Sequence, residues 1–112
     1  MESATAITRL SALAQDSRLA VFRLLVKAGR EGMAAGEVAR ALDIPANTLS
    51  AQFSLLAHAG LVTSRREGRS ILYTADFDAM SDLLVYLVED CCQGRAEVCA
   101  PLADIANRAA CC

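Results

Sequence analysis

A chain of 112 residues that is 54% hydrophobic, with a mean hydropathy of +0.33, has the length for one domain with one core and is too apolar for wholesale disorder. Its apolar residues are mostly Leu, Ala and Val, aromatics make up 4% and Trp is absent, a balance that points to packed helices and away from a β-sandwich. The formal charge of −2 excludes no partner: six basic and five acidic side chains fall in residues 1–45, three and one in 46–75, and two and seven in 76–112, and the field that steers a polyanion is local at physiological ionic strength.

The opening MESATAITRL has no basic stretch followed by an apolar run, and no uninterrupted apolar segment approaches the roughly 20 residues that cross a bilayer. A cytoplasmic protein without membrane contact is expected. Residues 3–14 set Ile7, Leu10, Leu13 and Ala14 at helical spacing. Asp16-Ser17 is the expected cap of a second helix, SRLAVFRLLVKAG, closed by Gly29, with Leu19, Phe22, Leu25 and Val26 on one stripe and Arg18, Arg23, Lys27 and Arg30 in water.

In AAGEVARALDIPANTLSAQFSLLAHAGLV, Val38, Ala39 and Leu42 form a short apolar face, Asp43-Ile44-Pro45 breaks it, and a new helix follows with Leu49, Phe53 and Leu56 inside. Two short helices across a tight turn fit a helix-turn-helix. Opposite the second helix's apolar stripe lie Asn47, Ser50, Ala51, Ser54 and His58, with Thr48 and Gln52 on its shoulders. Short polar side chains there suit base edges, since Gln reads adenine bidentately and Ser pairs with either partner; His58 is expected to be a surface or packing residue.

Gly60 ends that helix, and two β-prone runs, Leu61 to Ser64 and Ser70 to Thr74, flank Arg65-Arg66-Glu67-Gly68-Arg69. A two-stranded ribbon with Arg65, Arg66 and Arg69 at its tip, after a helix-turn-helix, has the layout of a winged helix whose tip reaches phosphate or a minor groove. From Asp76, DFDAMSDLLVYLVEDCC reads as one helix, apolar nearly all round at Leu83, Leu84, Val85, Leu87 and Val88. Such a helix needs two surfaces to bury against, which predicts a homodimer. Gly94 is expected to stop it, with Pro101 opening a short final helix.

All five cysteines, Cys91, Cys92, Cys99, Cys111 and Cys112, lie in the last 22 residues. In a reducing compartment a cluster of this kind reads as metal-binding or reactive before it reads as a disulfide framework. A thiol enzyme is not expected, because there is no Cys-x-x-Cys, βαβ unit or phosphate-binding loop.

The strings DSRLAVFRLL, TLSAQFSLLAHAGLV, RREGRSILY and FDAMSDLLVYLVEDCC, in that order, resemble the ArsR/SmtB family of dimeric winged-helix repressors over roughly residues 7–99. The last string is most similar to arsenic-responsive members, in which thiolates near the end of the dimer helix bind trivalent arsenic or antimony and the repressor leaves its operator. The resemblance implies a mainly α fold with a small β-hairpin, a winged helix-turn-helix that dimerises through its terminal helices. It divides the chain into a DNA-binding and dimerisation domain over 1–92 and a cysteine-containing extension over 93–112. It implies double-stranded operator DNA as partner and As(III) or Sb(III) as inducer, with Asn47, Thr48, Ser50, Ala51, Gln52, Ser54, Arg65, Arg66 and Arg69 facing DNA.

Cys91, Cys92 and Cys99 would be the ligands, because a pyramidal soft ion takes three sulfurs on one side; Cys111 and Cys112 are additional candidates. Adjacent positions on a regular helix point about 100° apart, so the pair is expected to sit where the helix frays. Arg95 and the start of the final helix are expected to favour thiolate. Where many relatives carry a Cys-x-Cys pair, this chain has Met33-Ala34-Ala35-Gly36, so that site is absent. The His and carboxylate pattern of zinc-sensing relatives is missing as well, and Ala51-Gln52 stands where relatives often have Arg-His. A redox or other soft-metal thiol switch on the same fold is the alternative.

Overall fold

The computed structural model of the chain describes residues 1–88. Helix α1, Ser3–Leu13, buries Ala6 and Ala12, small residues that let it lie close to its neighbours. The expected stripe is partly overturned: Ile7 and Leu10 point outward, 61% and 40% exposed. Helix α2, Asp16–Ala28, is capped one residue earlier than expected, because Gln15 is extended and its carboxamide oxygen accepts the Arg18 N–H at 2.9 Å. Its buried face is Val21, Phe22 and Leu25, while Leu19 stays exposed and Val26 half-buried. Gly29, at φ 72°, turns the chain out of α2 into a single 3-10 turn over Gly29–Glu31.

A strand absent from the expectation follows. Strand β1, Met33–Ala34, pairs antiparallel with a later strand β3, Ser70–Ala75, matching Met33 to Tyr73 and Ala34 to Leu72. Two residues carry no alternation to read; the pairing is imposed by the edge that β3 offers. The ribbon is therefore a three-stranded sheet of order β1-β3-β2, with β2 over Val62–Glu67. Gly32, at φ 75°, leads into β1, and a Cβ there would stand 2.5 Å from the Tyr73 carbonyl oxygen, so the close approach of strand to strand requires glycine.

Helix α3, Ala35–Leu42, starts with half a capping box: the Glu37 carboxylate accepts the Ala34 N–H at 3.1 Å, and Ala34 has no side-chain oxygen to reciprocate. Asp43 in the left-handed region (φ 53°) and the Ile44 N–H on the Ala39 carbonyl make the tight turn, and Pro45 enters helix α4, Ala46–His58. Leu49, Phe53 and Leu56 of α4 meet Val21 and Leu25 of α2, Val38 of α3, and Leu61 and Val62 in one core. The β2–β3 register runs from Val62 opposite Ala75 to Glu67 opposite Ser70.

Helix α5, Phe77–Val88, is capped by Asp76, whose Oδ1 accepts the Ala79 N–H at 3.0 Å. It buries Ala79 and Leu83 on its own chain and leaves Leu84, Val85 and Leu87 50–60% exposed. The mainly helical fold with its small ribbon is thus a winged helix-turn-helix. No helix among the described residues is long and apolar enough to cross a membrane.

Candidate nucleic-acid interface

Burial of Leu49, Phe53 and Leu56 decides which way α4 faces. With its apolar side against α2 and α3, the helix presents Asn47, Thr48, Ser50, Ala51, Ser54 and His58 to solvent. All are short except His58, which ends the helix. Asn47 Oδ1 accepts the Thr48 N–H at 3.0 Å, which leaves the Asn47 NH2 group as an outward donor. A row of small polar groups along the exposed face of a helix is the shape that enters a major groove.

Gln52 departs from the expected set. It is only 9% exposed, and its Oε1 accepts a hydrogen bond from Arg18 Nη1 at 3.2 Å. One helical position is enough to move a side chain from the outer face to the packed one, and Gln52 falls on the packed side. It holds α4 against α2, and the exposed polar face of α4 is left to Asn47, Thr48, Ser50, Ala51 and Ser54.

The wing arginines also divide. Arg65 is not at the tip: it pairs with Leu72 in mid-strand, and its guanidinium donates to the carbonyls of Arg30 at 3.3 Å and Glu31 at 2.7 Å, with the Glu67 carboxylate 3.5 Å away. It ties β2 to the 3-10 turn. Arg66 lies next along the strand on the opposite side of the ribbon, and Arg69 sits in the two-residue loop beside Gly68, whose φ of 64° makes the tight hairpin. Both are exposed, and neither has a hydrogen-bonded or ionic partner among the described residues.

Arg18 is the residue that the chain's pattern did not reveal. Read as solvated, it is half-buried, with Nε on the Ala12 carbonyl at 2.7 Å and Nη1 on Gln52. Nothing in local sequence signals this, because Gln52 is 34 residues away. The predicted thiol ligands Cys91, Cys92 and Cys99, the further candidates Cys111 and Cys112, Arg95 and the segment from Pro101 lie outside the described residues. Among the described residues no cluster of three or more His, Cys, Asp or Glu side chains is arranged to hold a metal ion.

Comparison with known proteins agrees with this geometry. A family profile described as a helix-turn-helix domain matches residues 13–65, from the end of α1 to β2. The transcriptional activator HlyU of Vibrio cholerae is 31% identical over 85 residues, covering 73% of this chain and 76% of that protein. Its solved structure superposes with a TM-score of 0.62 at 30% identity, over 78% of this chain and 97% of that one. The nodulation protein NolR of Rhizobium meliloti is 36% identical over 75 residues, 67% of this chain, and the match spans only 59% of NolR's own length. The solution structure of Mb0332 from Mycobacterium bovis, described as a homodimeric winged helix-turn-helix DNA-binding domain and a possible ArsR-family transcriptional regulator, is 32% identical with a TM-score of 0.63, over 77% of this chain and 79% of that one. A helix-turn-helix and wing in the same order, carried at this level of identity through HlyU, mean that the chain belongs to the ArsR/SmtB family of winged helix-turn-helix transcriptional regulators.

Proposed function

We propose that this chain is a cytoplasmic, arsenic-responsive repressor: a homodimer that sets one α4 per subunit into successive major grooves of a two-fold operator and leaves it when As(III) or Sb(III) binds Cys91, Cys92 and Cys99. The observation that carries the DNA-binding half is the outward polar face of α4, flanked by the exposed Arg66 and Arg69 of the wing, which have no partner among the described residues. Exposed arginines in and beside a hairpin turn are available to phosphate, and affinity built on phosphate contacts falls steeply with salt. Dimerisation is supported by the uncovered Leu84, Val85 and Leu87 on α5 and Ile7 and Leu10 on α1, and by the homodimeric assembly of the Mb0332 domain.

The metalloid half rests on chemistry and placement. Three thiols lie within eleven residues after Val88, the last described residue of α5, and soft thiolates select soft ions. In this reading residues 93–112 complete the site begun at Cys91 and Cys92, and Cys111 and Cys112 are auxiliary. The ion supplies a strong cross-link between sulfurs at the end of the dimer helix. A coupling of about 1–3 kcal/mol would change operator affinity roughly 5- to 150-fold, and operator must weaken metalloid binding by the same factor.

A DNA-mobility assay on the reduced full chain tests both halves. Arsenite is expected to release operator from the wild type and from Cys111→Ser and Cys112→Ser, but not from Cys91→Ser, Cys92→Ser or Cys99→Ser. Release from the variant lacking all three of the latter would end the metalloid reading. A thiol redox switch is the second reading, favoured by one observation: the related HlyU of Vibrio cholerae has a structure described as the reduced form. Release by peroxide but not by arsenite under strict reduction would select it.

A further inference from the structure

Two arginines connect α5 to the DNA-reading helix through α1. Arg9 of α1 donates from Nη1 to the Ala79 carbonyl in the first turn of α5, at 3.1 Å. Three residues further along α1, on the same side of the helix, the Ala12 carbonyl accepts from Arg18 Nε at 2.7 Å. Arg18 then reaches Gln52 Oε1 of α4 with Nη1. The Ala12 carbonyl is among the last four of α1, which lack partners in their own helix, and α1 has no basic residue in its last turn. A cation from α2 takes that place.

Each link has a direction that apolar packing lacks. Hydrophobic contact is non-directional and lets helices slide, whereas a guanidinium fork holds two acceptors at a set angle and an ammonium does not. Gln52 is the buried polar side chain of the described core, and Arg9 Nε is buried with no partner among the described residues. A buried donor without a partner costs stability, so Arg9 is better accounted for by what it positions than by what it stabilises, while Gln52 is satisfied by Arg18.

We propose that Arg9 and Arg18 are positioning residues that set the orientation of α4 from the position of α5, along Ala79, Arg9, Ala12, Arg18 and Gln52. The inference deepens the proposed function, since it supplies a path from the first turn of the dimer helix to the face that reads DNA, and it requires α5 to move as a unit. Displacement of α5 pulls α1 through Arg9, and α1 carries Arg18 and Gln52 with it.

Amide hydrogen exchange on the reduced full chain, without DNA, tests the path independently of any operator. In Arg9→Met, amides in residues 47–54 are expected to exchange several-fold faster than in the wild type, although Arg9 makes no hydrogen bond to α4, while amides of Val21 and Leu25 keep their protection. Arg18→Met and Gln52→Met should reproduce the α4 pattern. Unchanged α4 exchange in Arg9→Met, or a uniform rise across the core, would overturn the proposal. Should Arg9→Met fail to fold, Arg9→Lys, which keeps the cation but not the fork, serves with the same criteria.

A second arm reads operator affinity. Each single Met variant is expected to weaken binding by about tenfold, the scale of one charge-assisted hydrogen bond, and the Arg9→Met, Arg18→Met double variant by no more than the larger single loss. Losses that multiply would mean independent roles and overturn the path. A wild type that binds no DNA would instead end the proposed function, with the exchange result still deciding the relay.

Discussion

Phe53 of α4 and Tyr73 of β3 lie face to face, their ring centroids 3.8 Å apart and their planes within 5°. Tyr73 is also the residue opposite Met33 of β1 and Ser64 of β2. The stack therefore fastens helix α4 to the centre of the wing sheet. Removing Phe53 leaves a cavity under both: Phe53→Ala is expected to cost about 3–5 kcal/mol in urea unfolding at fixed protein concentration. Phe53→Leu should keep the fold and lose mainly the stacking, about 0.5–1.5 kcal/mol beyond the change in buried area.

Gly32 packs closely against strand β3. Its φ of 75° and the Tyr73 carbonyl oxygen 2.5 Å from any Cβ both oppose substitution. Gly32→Ala is expected to destabilise by at least about 1–3 kcal/mol, whereas Gly68→Ala, at φ 64° with nothing within 4 Å, should cost about 1 kcal/mol from backbone strain alone. Thermal unfolding of the two variants side by side checks the ordering.

The three wing arginines should separate in salt titrations of operator binding. Arg66→Ala and Arg69→Ala are expected to weaken binding across sequences and to lower the salt slope by about 1 each. Arg65→Ala should leave that slope nearly unchanged, because its guanidinium already serves the Arg30 and Glu31 carbonyls. Its effect should appear as faster amide exchange along β2 and the 3-10 turn.

The apolar face of α5 should set the assembly. Val85→Asp, at a position 60% exposed on the single chain, is expected to turn a dimer into a monomer in sedimentation equilibrium while helix content is kept. A wild type that sediments as a monomer would remove the paired-operator reading altogether.

Much of the candidate interface was legible because it obeys local rules. The break at Asp43-Ile44-Pro45, the Leu49, Phe53 and Leu56 stripe and the Gly68 turn each depend on neighbours within a few residues, and that is the range over which helical periodicity and turn chemistry act. The two-residue strand β1 was not legible, since its identity comes from β3 almost 40 residues away. Gln52 stood on a shoulder of the helix where a few degrees of rotation decide between water and core, and Arg18 settled the matter from another helix.

Hydropathy period, proline and glycine placement and the basic run in the wing thus determined by themselves that this chain builds helix, turn, helix and ribbon, because those signals are local free energies. Which wing arginine is tied to backbone carbonyls and which is left exposed, which polar side chain of α4 faces outward, and that α1 is bonded to α5 by Arg9 and to α2 by Arg18 were decided only by the tertiary structure. A guanidinium takes whichever acceptor the fold brings within 3 Å or so, and residues distant in sequence become neighbours only after the core has closed.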